Sequence, residues 1–292
     1  MNINIIVKNG LSLYRITPVV FMKQLLRSTL LVLSLLISSL YASAQTDSTS
    51  LVQPNNQIWY TSSDGKIITP YITNVFGAII TSNTYNDGKG IITFDGNVTT
   101  IGDSAFWNCD SLTSITIGDG VTTIGDYAFT HCSSLTSVTI PDSVTEIGDW
   151  VFRDCSSLTS VPIPDSVTTI GKGEFYNCDS LTSVTIPDSV TSIGEWAFYH
   201  CDNLTSVTIG GSVTMIGGEA FNWCFSLTSV YCKAITPPEL GDYYVFDGLG
   251  SDNKIYVPAE SVSKYKNSFY TYWSKYASKI VGYDFENGVV VE

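Results

Sequence analysis

Hydrophobic and polar positions along this chain repeat with a step of 23 residues, and residues 133–155, SSLTSVTIPDSVTEIGDWVFRDC, are one complete copy. Four columns of residues keep this step through six copies. They are Leu112, Leu135, Leu158, Leu181, Leu204 and Leu227; Ile115, Val138, Val161, Val184, Val207 and Val230; Phe106, Phe129, Phe152, Phe175, Phe198 and Phe221; and Cys109, Cys132, Cys155, Cys178, Cys201 and Cys224. A fixed repeat of this length predicts a stack of similar coils.

Each copy begins with a predicted strand. Leu135, Val138 and Ile140 point inward, while Ser137 and Thr139 point outward with the two-residue alternation of a strand. The hydrophobic face of this strand needs a partner, because a strand buries only one side of itself.

The remainder of each copy predicts a turn that returns to the core. Pro-Asp-Ser at 141–143 is typical turn sequence, and residues 149–152 predict a short helical or 3-10 turn that inserts Phe152. One coil buries about seven apolar side chains at about 2 kcal/mol each, whereas ordering each of its residues costs about 1.5 kcal/mol. A single coil therefore cannot fold alone, and we expect a β-rich leucine-rich repeat solenoid over residues 91–232.

Different sequences flank the repeats on both sides. Hairpin signals at Asp64-Gly65 and Asp87-Gly88 predict a β-rich N-terminal cap over residues 58–90. Residues 233–292 predict a stretched last coil, with a strand at 255–257, followed by a helical C-terminal cap over the open end of the core. The helix is indicated by apolar residues at three- and four-residue steps, namely Val262, Tyr265, Phe269, Tyr272, Tyr276 and Ile280.

Residues 1–44 predict a signal peptide with an upstream extension. From Met22 the chain carries two cations, then about a dozen mostly apolar residues, then Ala42-Ser43-Ala44, which is the order of a secretory signal. Met22 is the expected start. The apolar run is shorter than the ~20 residues of a membrane span, so we expect no transmembrane segment in the mature chain. Residues 45–57 are polar and predict a flexible linker.

Charge excludes one class of partner. The chain has 14 Lys and Arg against 27 Asp and Glu, and residues 45–292 alone carry a net charge of −17. Between residues 91 and 232 the only cations are Arg153 and Lys172, against 16 carboxylates. Nucleic acids are bound through clustered Lys and Arg, so this surface would repel them. Anionic membrane surfaces are disfavoured for the same reason.

The cysteine column allows three interpretations. Equivalent residues of neighbouring coils lie about 4.8 Å apart, which is within Cα range for a disulfide in a secreted protein. Their side chains run parallel along the stack, however, so a disulfide would be strained, and a straight ladder cannot surround a tetrahedral zinc ion. We therefore expect buried free thiols, with Cys232 also in the core.

The repeats resemble one known family. The recurring SLTSVTIPDSVTEIGDWVFRDC, with its Gly, Phe and Cys, and the tail AITPP…VP…Y…W resemble the BspA-like leucine-rich repeat proteins of bacterial surfaces. The likeness covers roughly residues 90–282. It implies a right-handed solenoid that is secreted or surface-exposed, and roles in adhesion to host proteins, other cells or matrix. It implies no particular ligand and no defined binding residues.

Two sets of exposed positions are candidates for binding. One set is the outward face of the strands, a ladder of hydroxyl groups that ends in an aromatic residue: Thr116, Thr139, Thr185, Thr208 and Tyr231. The alternative is that Thr is simply a good strand former on a solvated face. The other set lies around the helical turn, where aromatic residues occur among Asn, Asp and His: Trp107, Tyr127, Trp150, Arg153, Tyr176, Trp196 and Tyr199. Recognition surfaces favour this composition, although loosely constrained positions also vary freely.

Nothing in the sequence predicts an enzyme, a metal site or a cofactor. His131 and His200 share a column but lie three coils apart, about 14 Å. The column of Asp142, Asp165 and Asp188 offers one acid per coil, whereas Ca²⁺ takes six to eight oxygens. No nucleophile motif or Gly-rich phosphate loop is present.

Two functions therefore compete. The first is a secreted or cell-surface binding protein that adheres to a protein or glycan on a host or neighbouring cell. The second is a structural spacer or self-assembling surface component without a specific ligand. The sequence predicts no oligomeric state.

Overall fold

The structure is a computed structural model that describes residues 5–9, 12–16, 52–269 and 271–291. Strands β1 (Ile5–Asn9) and β2 (Ser12–Ile16) form an antiparallel hairpin in a unit that is separate from residues 53–292. The expected upstream extension thus contains a hairpin. The predicted signal segment from Met22 to Ala44 lies outside the described residues.

Residues 53–292 form the predicted solenoid, whose coils are joined by two parallel ladders. The longer ladder contains β7 (Leu112–Thr116), β9 (Ser137–Thr139), β12 (Ser183–Ile186), β14 (Ser206–Ile209), β16 (Ser229–Cys232) and β18 (Lys254–Pro258). In β12, Val184 is buried while Ser183 and Thr185 are exposed, as the sequence alternation predicts. Ser206 lies opposite Ser183, which is the 23-residue step of the sequence.

The second ladder consists of two-residue strands after the turn. They are β6 (Thr100–Ile101), β8 (Thr123–Ile124), β10 (Glu146–Ile147), β11 (Thr169–Ile170), β13 (Ser192–Ile193), β15 (Met215–Ile216) and β17 (Glu239–Leu240). The part of each coil that was predicted as a helical or 3-10 turn is a series of hydrogen-bonded turns, which we call the turn segment. Backbone hydrogen bonds also join the turn segments of adjacent coils, as where Phe129 N donates to Val151 O at 3.0 Å. Neighbouring coils that are joined by both ladders are therefore bonded along three segments.

The Phe column forms a continuous stack through the core. Phe129 and Phe152 have ring centroids 5.6 Å apart and an interplanar angle of 3°, and Phe198 and Phe221 are 5.1 Å apart at 4°. The stack continues to Phe246 in the last coil. These rings are fully buried, so their column is the axis of the hydrophobic core.

Both ladders are interrupted at the coil of residues 156–178. The longer ladder has no strand there, because Pro162 stands where other coils carry a donating residue and proline lacks a backbone N–H. The longer strands therefore divide into two sheets, one ending at β9 and the other beginning at β12. The short ladder is broken between β10 and β11.

An antiparallel sheet precedes the first coil. Strands β3 (Gln57–Ser62), β4 (Ile80–Asn86) and β5 (Lys89–Phe94) lie in the order β4-β5-β3, and β3 pairs antiparallel with β7. This pairing occupies the edge of β7, which would otherwise be an unpaired edge of the stack.

The predicted linker, residues 45–57, is wrong at its C-terminal end. Gln53 Nε2 donates to Gln57 O at 2.7 Å and to Thr116 O at 3.1 Å, and Val98 N donates to Asn55 O at 2.8 Å. Polar composition suggested flexibility, but these polar groups bond to backbone groups of the first coil. Residues 45–51 lie outside the described part of the chain.

The last coil is stretched by two residues, since Lys254 lies opposite Ser229. After it come a 3-10 turn at Ala259–Ser261, the single-turn helix α1 (Val262–Lys266), a second 3-10 turn at Trp273–Tyr276, and strands β19 (Ile280–Asp284) and β20 (Val289–Val291). β19 continues the parallel ladder beside β18, and β20 pairs antiparallel with β19.

The predicted long helix across residues 262–280 is therefore wrong. Tyr272 has φ +62°, a left-handed conformation that ends a helix, and the preceding NSFYT is poor in helix formers. Tertiary packing decides the path, because Trp273 inserts into the core, 5.7 Å from Phe246, and its Nε1 donates to Pro238 O at 2.6 Å. Phe269, expected on the apolar stripe, is instead 71% exposed.

No helix in the described ranges is long and apolar enough to cross a membrane.

The seven cysteines are free thiols, as predicted, and the structure supplies a reason for their column. Each buried thiol in the column donates to the Phe carbonyl of the preceding coil: Cys155 Sγ lies 3.2 Å from Phe129 O, and Cys178 Sγ 3.2 Å from Phe152 O. Cysteine is small enough for the core and still provides a weak donor. Burial raises the pKa of five thiols in the column, namely Cys109 (to about 12), Cys132, Cys155, Cys178 and Cys201.

We predict that these thiols are inert while the coils are stacked, because thiolate is the reactive form and burial disfavours it. Ellman's reagent should label at most the partly exposed Cys109 in the native protein and all seven cysteines in denaturant. Rapid labelling of several thiols in the native protein would contradict the buried column.

Candidate functional site

The turn segment of each coil contains two residues in left-handed conformation. One column reads Ser104, Tyr127, Trp150, Gly173, Trp196 and Glu219, and the other reads Asn108, His131, Asp154, Asn177, His200 and Trp223, with φ between +53° and +62° throughout. Left-handed conformation costs a residue other than glycine about 1–2 kcal/mol. Trp150 and Trp196 therefore hold positions where the backbone favours Gly or Asn. Strain of this kind is common at binding sites.

Gly173 brings these two tryptophans together. A Cβ at residue 173 would collide with the Trp150 ring, so the ring can lie across this position only because glycine occupies it. As a result the Trp150 and Trp196 centroids are 6.0 Å apart, although the residues are two coils apart. Two coils would otherwise separate equivalent residues by about 10 Å.

The two rings form part of an open pocket of about 360 Å³. It is lined by Trp150, Arg153, Tyr176, Trp196, Tyr199 and Glu219. Volumes of this size accept small ligands or a few side chains of a larger partner. We call this group of residues the aromatic pocket.

Both cations of the repeat region lie at the aromatic pocket. The Arg153 guanidinium is 5.5 Å from the centroids of both Trp150 and Tyr176, and Lys172 Nζ is 4.6 Å from that of Trp196. Each cation also contacts a carboxylate: Arg153 Nε donates to Asp154 Oδ2 at 3.0 Å, and Lys172 Nζ to Glu195 Oε2 at 2.7 Å. The ion pairs and cation–π contacts orient the rings, and each cation remains partly exposed.

The aromatic surface continues beyond the pocket. Tyr176 stacks on Tyr199 at 5.0 Å and 10°, Tyr199 lies 5.6 Å from Trp223, and Trp223 lies 6.3 Å from Phe225. Trp223 is 46% exposed and Phe225 63% exposed. The sequence-based candidate set omitted both, although each breaks an otherwise polar column. That break was the available signal.

Five of the predicted turn residues meet at the aromatic pocket, namely Trp150, Arg153, Tyr176, Trp196 and Tyr199. Two do not. Trp107 packs instead 4.9 Å from Tyr71 and 6.1 Å from His131, and Tyr127 is exposed outside the pocket lining.

The predicted hydroxyl ladder lies on the longer strands. Thr116 pairs with Thr139, and Thr185, Thr208 and Tyr231 lie side by side in the second sheet. Pro162 interrupts the ladder between these groups. Its aromatic end is larger than predicted, because Tyr231 stacks on Tyr256 at 4.7 Å and lies 5.4 Å from Tyr283. The three tyrosines of this cluster are separated by 25 and 27 positions in the sequence, so the 23-residue step does not predict that they meet.

One group of metal-ligating side chains occurs among the described residues. His200 Nδ1 lies 3.3 Å from Asp202 Oδ1 and 3.8 Å from Asp179 Oδ1, and all three side chains are partly exposed. Burial and the Asp202 carboxylate raise the pKa of Asp179. This group was not predicted from the sequence, where His200 was considered only as a partner of His131. The His200 imidazole thus lies between two carboxylates.

Comparison with known proteins shows the family. The chain matches the family described as BspA type leucine rich repeat region, in six copies over residues 80–204 and 151–277. These matches cover more than half of the chain, so the protein belongs to the BspA-type leucine-rich repeat family. Solenoids of this class are typically binding scaffolds rather than enzymes. No curated protein matches the chain.

Three solved structures illustrate the likeness. A T. pallidum leucine-rich repeat protein is 34% identical over 47% of this chain and 65% of its own, with a TM-score of 0.46. A leucine-rich cell surface protein of Faecalibacterium prausnitzii is 30% identical over 63% of each chain, with a TM-score of 0.46. The pneumococcal vaccine antigen PcpA is 20% identical over 70% of this chain and 48% of its own, with a TM-score of 0.53, and supports the fold alone. The chain spans less than two thirds of each structure.

Gly173 should control the geometry of the aromatic pocket. We predict that Gly173→Ala displaces the Trp150 ring and changes tryptophan fluorescence, besides destabilising the fold by about 1–2 kcal/mol through left-handed strain. Gly65→Ala is the matched control, because Gly65 has φ +69° and open space around it. Thermal unfolding and fluorescence measure both effects. Identical spectra for the two variants would contradict the proposed packing.

Proposed function

We propose that this protein is secreted or displayed at a bacterial surface and adheres, through the aromatic pocket, to a protein or glycan on a host or neighbouring cell. The observation that carries the proposal is the convergence of two left-handed tryptophans, two tyrosines and Arg153 on one open pocket, with Lys172 against the Trp196 ring. Rigid exposed aromatic rings beside Arg are typical centres of binding energy. The predicted signal peptide and the family support the location.

The chemistry of the pocket favours a neutral or weakly charged ligand. Each cation is already paired with a carboxylate, so the pocket offers no free positive charge to an anion. Aromatic faces and paired polar groups together suit a partner that has both apolar and hydrogen-bonding surfaces, as glycans and polar protein loops do.

Trp150 and Trp196 should carry this binding. With the full chain, pull-down from host matrix proteins and a glycan array should identify a partner, and Trp150→Ala with Trp196→Ala should weaken its binding about tenfold or more. Phe269→Ala with Tyr244→Ala is the matched control, because it removes two exposed aromatic residues outside the pocket. Equal binding by both double variants would exclude the pocket as the adhesive site.

A second candidate function is self-assembly, and β20 favours it. This strand lies at the end of the six-stranded sheet, and its three valines, Val289, Val290 and Val291, are 40–52% exposed. An exposed apolar edge strand is a template for pairing with another chain.

If self-assembly is the function, Val290→Lys should abolish it, because a charge on an edge strand blocks pairing. Sedimentation of the wild-type chain over a range of concentrations should then show oligomers that the variant lacks. Thr84→Lys is the control, because Thr84 lies on β4, an end strand of the separate five-stranded sheet. A wild-type chain that stays monomeric would leave adhesion as the function.

A further inference from the structure

The coil of residues 156–178 carries a buried acid that the other coils lack. Glu174 lies in a column that otherwise reads Ala105, Ala128, Val151, Ala197 and Ala220. Its side chain is completely buried, and its Oε1 has no hydrogen-bond partner among the described residues. A buried carboxyl in an apolar column is costly unless it is neutral or fully hydrogen-bonded.

Glu174 diverts a hydrogen bond that joins the other coils. In those coils the glycine that follows the short strand donates to an Ile carbonyl of the preceding coil. Gly148 N donates in this way to Ile124 O at 2.8 Å, and Gly194 N to Ile170 O at 2.8 Å. Gly171 N instead donates to Glu174 Oε2 at 2.7 Å. This exchange coincides with the break between β10 and β11.

The longer ladder is broken at the same coil by Pro162. The contact between the coil of residues 133–155 and the coil of residues 156–178 therefore lacks strand pairs from both ladders. We call this contact the joint. What remains there includes the hydrogen bonds between turn segments, such as Phe152 N to Glu174 O at 2.9 Å, and the Phe stack, in which the ring centroids of Phe152 and Phe175 are 5.5 Å apart. The aromatic pocket spans the joint, because Trp150 and Arg153 lie before it and Trp196 lies after it.

The surroundings of Glu174 favour its neutral form. Burial, with a smaller contribution from the Asp149 carboxylate, raises the pKa of Glu174 to about 8 against the lowering effect of the Gly171 N–H. Asp149 Oδ1 accepts from Lys172 N at 2.8 Å, and the Lys172 ammonium is paired with Glu195. The equivalent positions in the adjoining coils, Val151 and Ala197, are apolar and buried. No described cation is therefore placed to compensate an ionised Glu174.

We propose that ionisation of Glu174 opens the joint, so that this protein has a pH-sensitive hinge beneath its aromatic pocket. The Glu174 carboxyl holds its proton more tightly in the closed joint than in an open, hydrated joint. Stability of the joint is therefore complete below a pH of about 4.5, the ordinary pKa of Glu, and is lost as the pH rises toward about 8. That opening also weakens ligand binding is a consequence that rests on the proposed function.

Hydrogen exchange of the full chain tests the joint without a ligand. Glu174→Gln is the reference at each pH, because it accepts the Gly171 hydrogen bond but cannot ionise. The ratio of wild-type to Glu174→Gln exchange rates at the amides of Gly171, Phe152 and Asp154 should rise about tenfold for each pH unit between pH 5 and pH 8. Glu174→Ala restores the residue of the other coils and should be the most protected of the three. Parallel pH profiles for wild type and Glu174→Gln would overturn the proposal.

Tryptophan quenching tests whether the opening reaches the pocket. Acrylamide should quench wild-type fluorescence increasingly from pH 5 to pH 8, and this increase should vanish in Glu174→Gln and in a Trp150→Phe, Trp196→Phe chain. An increase that persists in Glu174→Gln would assign it to another group and overturn the hinge. Because neither experiment uses a ligand, the hinge can stand or fall independently of adhesion.

Discussion

Each coil can bury its apolar face only against another coil, and this constraint governs the whole molecule. The buried Phe rings show it directly, since Phe152 stacks on Phe129 at 5.6 Å and on Phe175 at 5.5 Å along the core. A coil length of 23 residues keeps these rings in register, and with them the strands, turns and thiols. Even the cysteine column follows, because each fully buried thiol in it donates to the Phe carbonyl of the coil before it.

The same register turns sequence variation into surface. A residue that differs in one coil changes one step of a column, and its neighbours in space are its counterparts 23 residues away. The aromatic pocket arises in this way: the absence of a side chain at Gly173 lets Trp150 reach Trp196. The coil that creates the pocket also contains Pro162 and Glu174, which remove ladder hydrogen bonds from the stack. Departures from local rules are expected at functional sites, where stability is exchanged for another property.

Sequence reasoning succeeded wherever the physical signal was periodic. The two-residue alternation of residues 135–140 and the 23-residue step defined the strands, the stacked core and the buried thiols, and the aromatic columns contained five residues of the pocket. It failed for the C-terminal segment, where spacing of three and four residues suggested a helix. There the insertion of Trp273 against Phe246 and the left-handed Tyr272 determined a broken path.

The sequence by itself therefore determined the repeating architecture, because a period requires only local alternation and equal coil lengths. The tertiary structure alone decided which side chains meet: Trp150 with Trp196 across Gly173, Tyr231 with Tyr256 and Tyr283, and the Glu174 carboxyl with the Gly171 N–H. These contacts depend on the direction of each side chain and on the partner that a backbone group finds. Neither property is encoded in the period of the hydrophobic pattern.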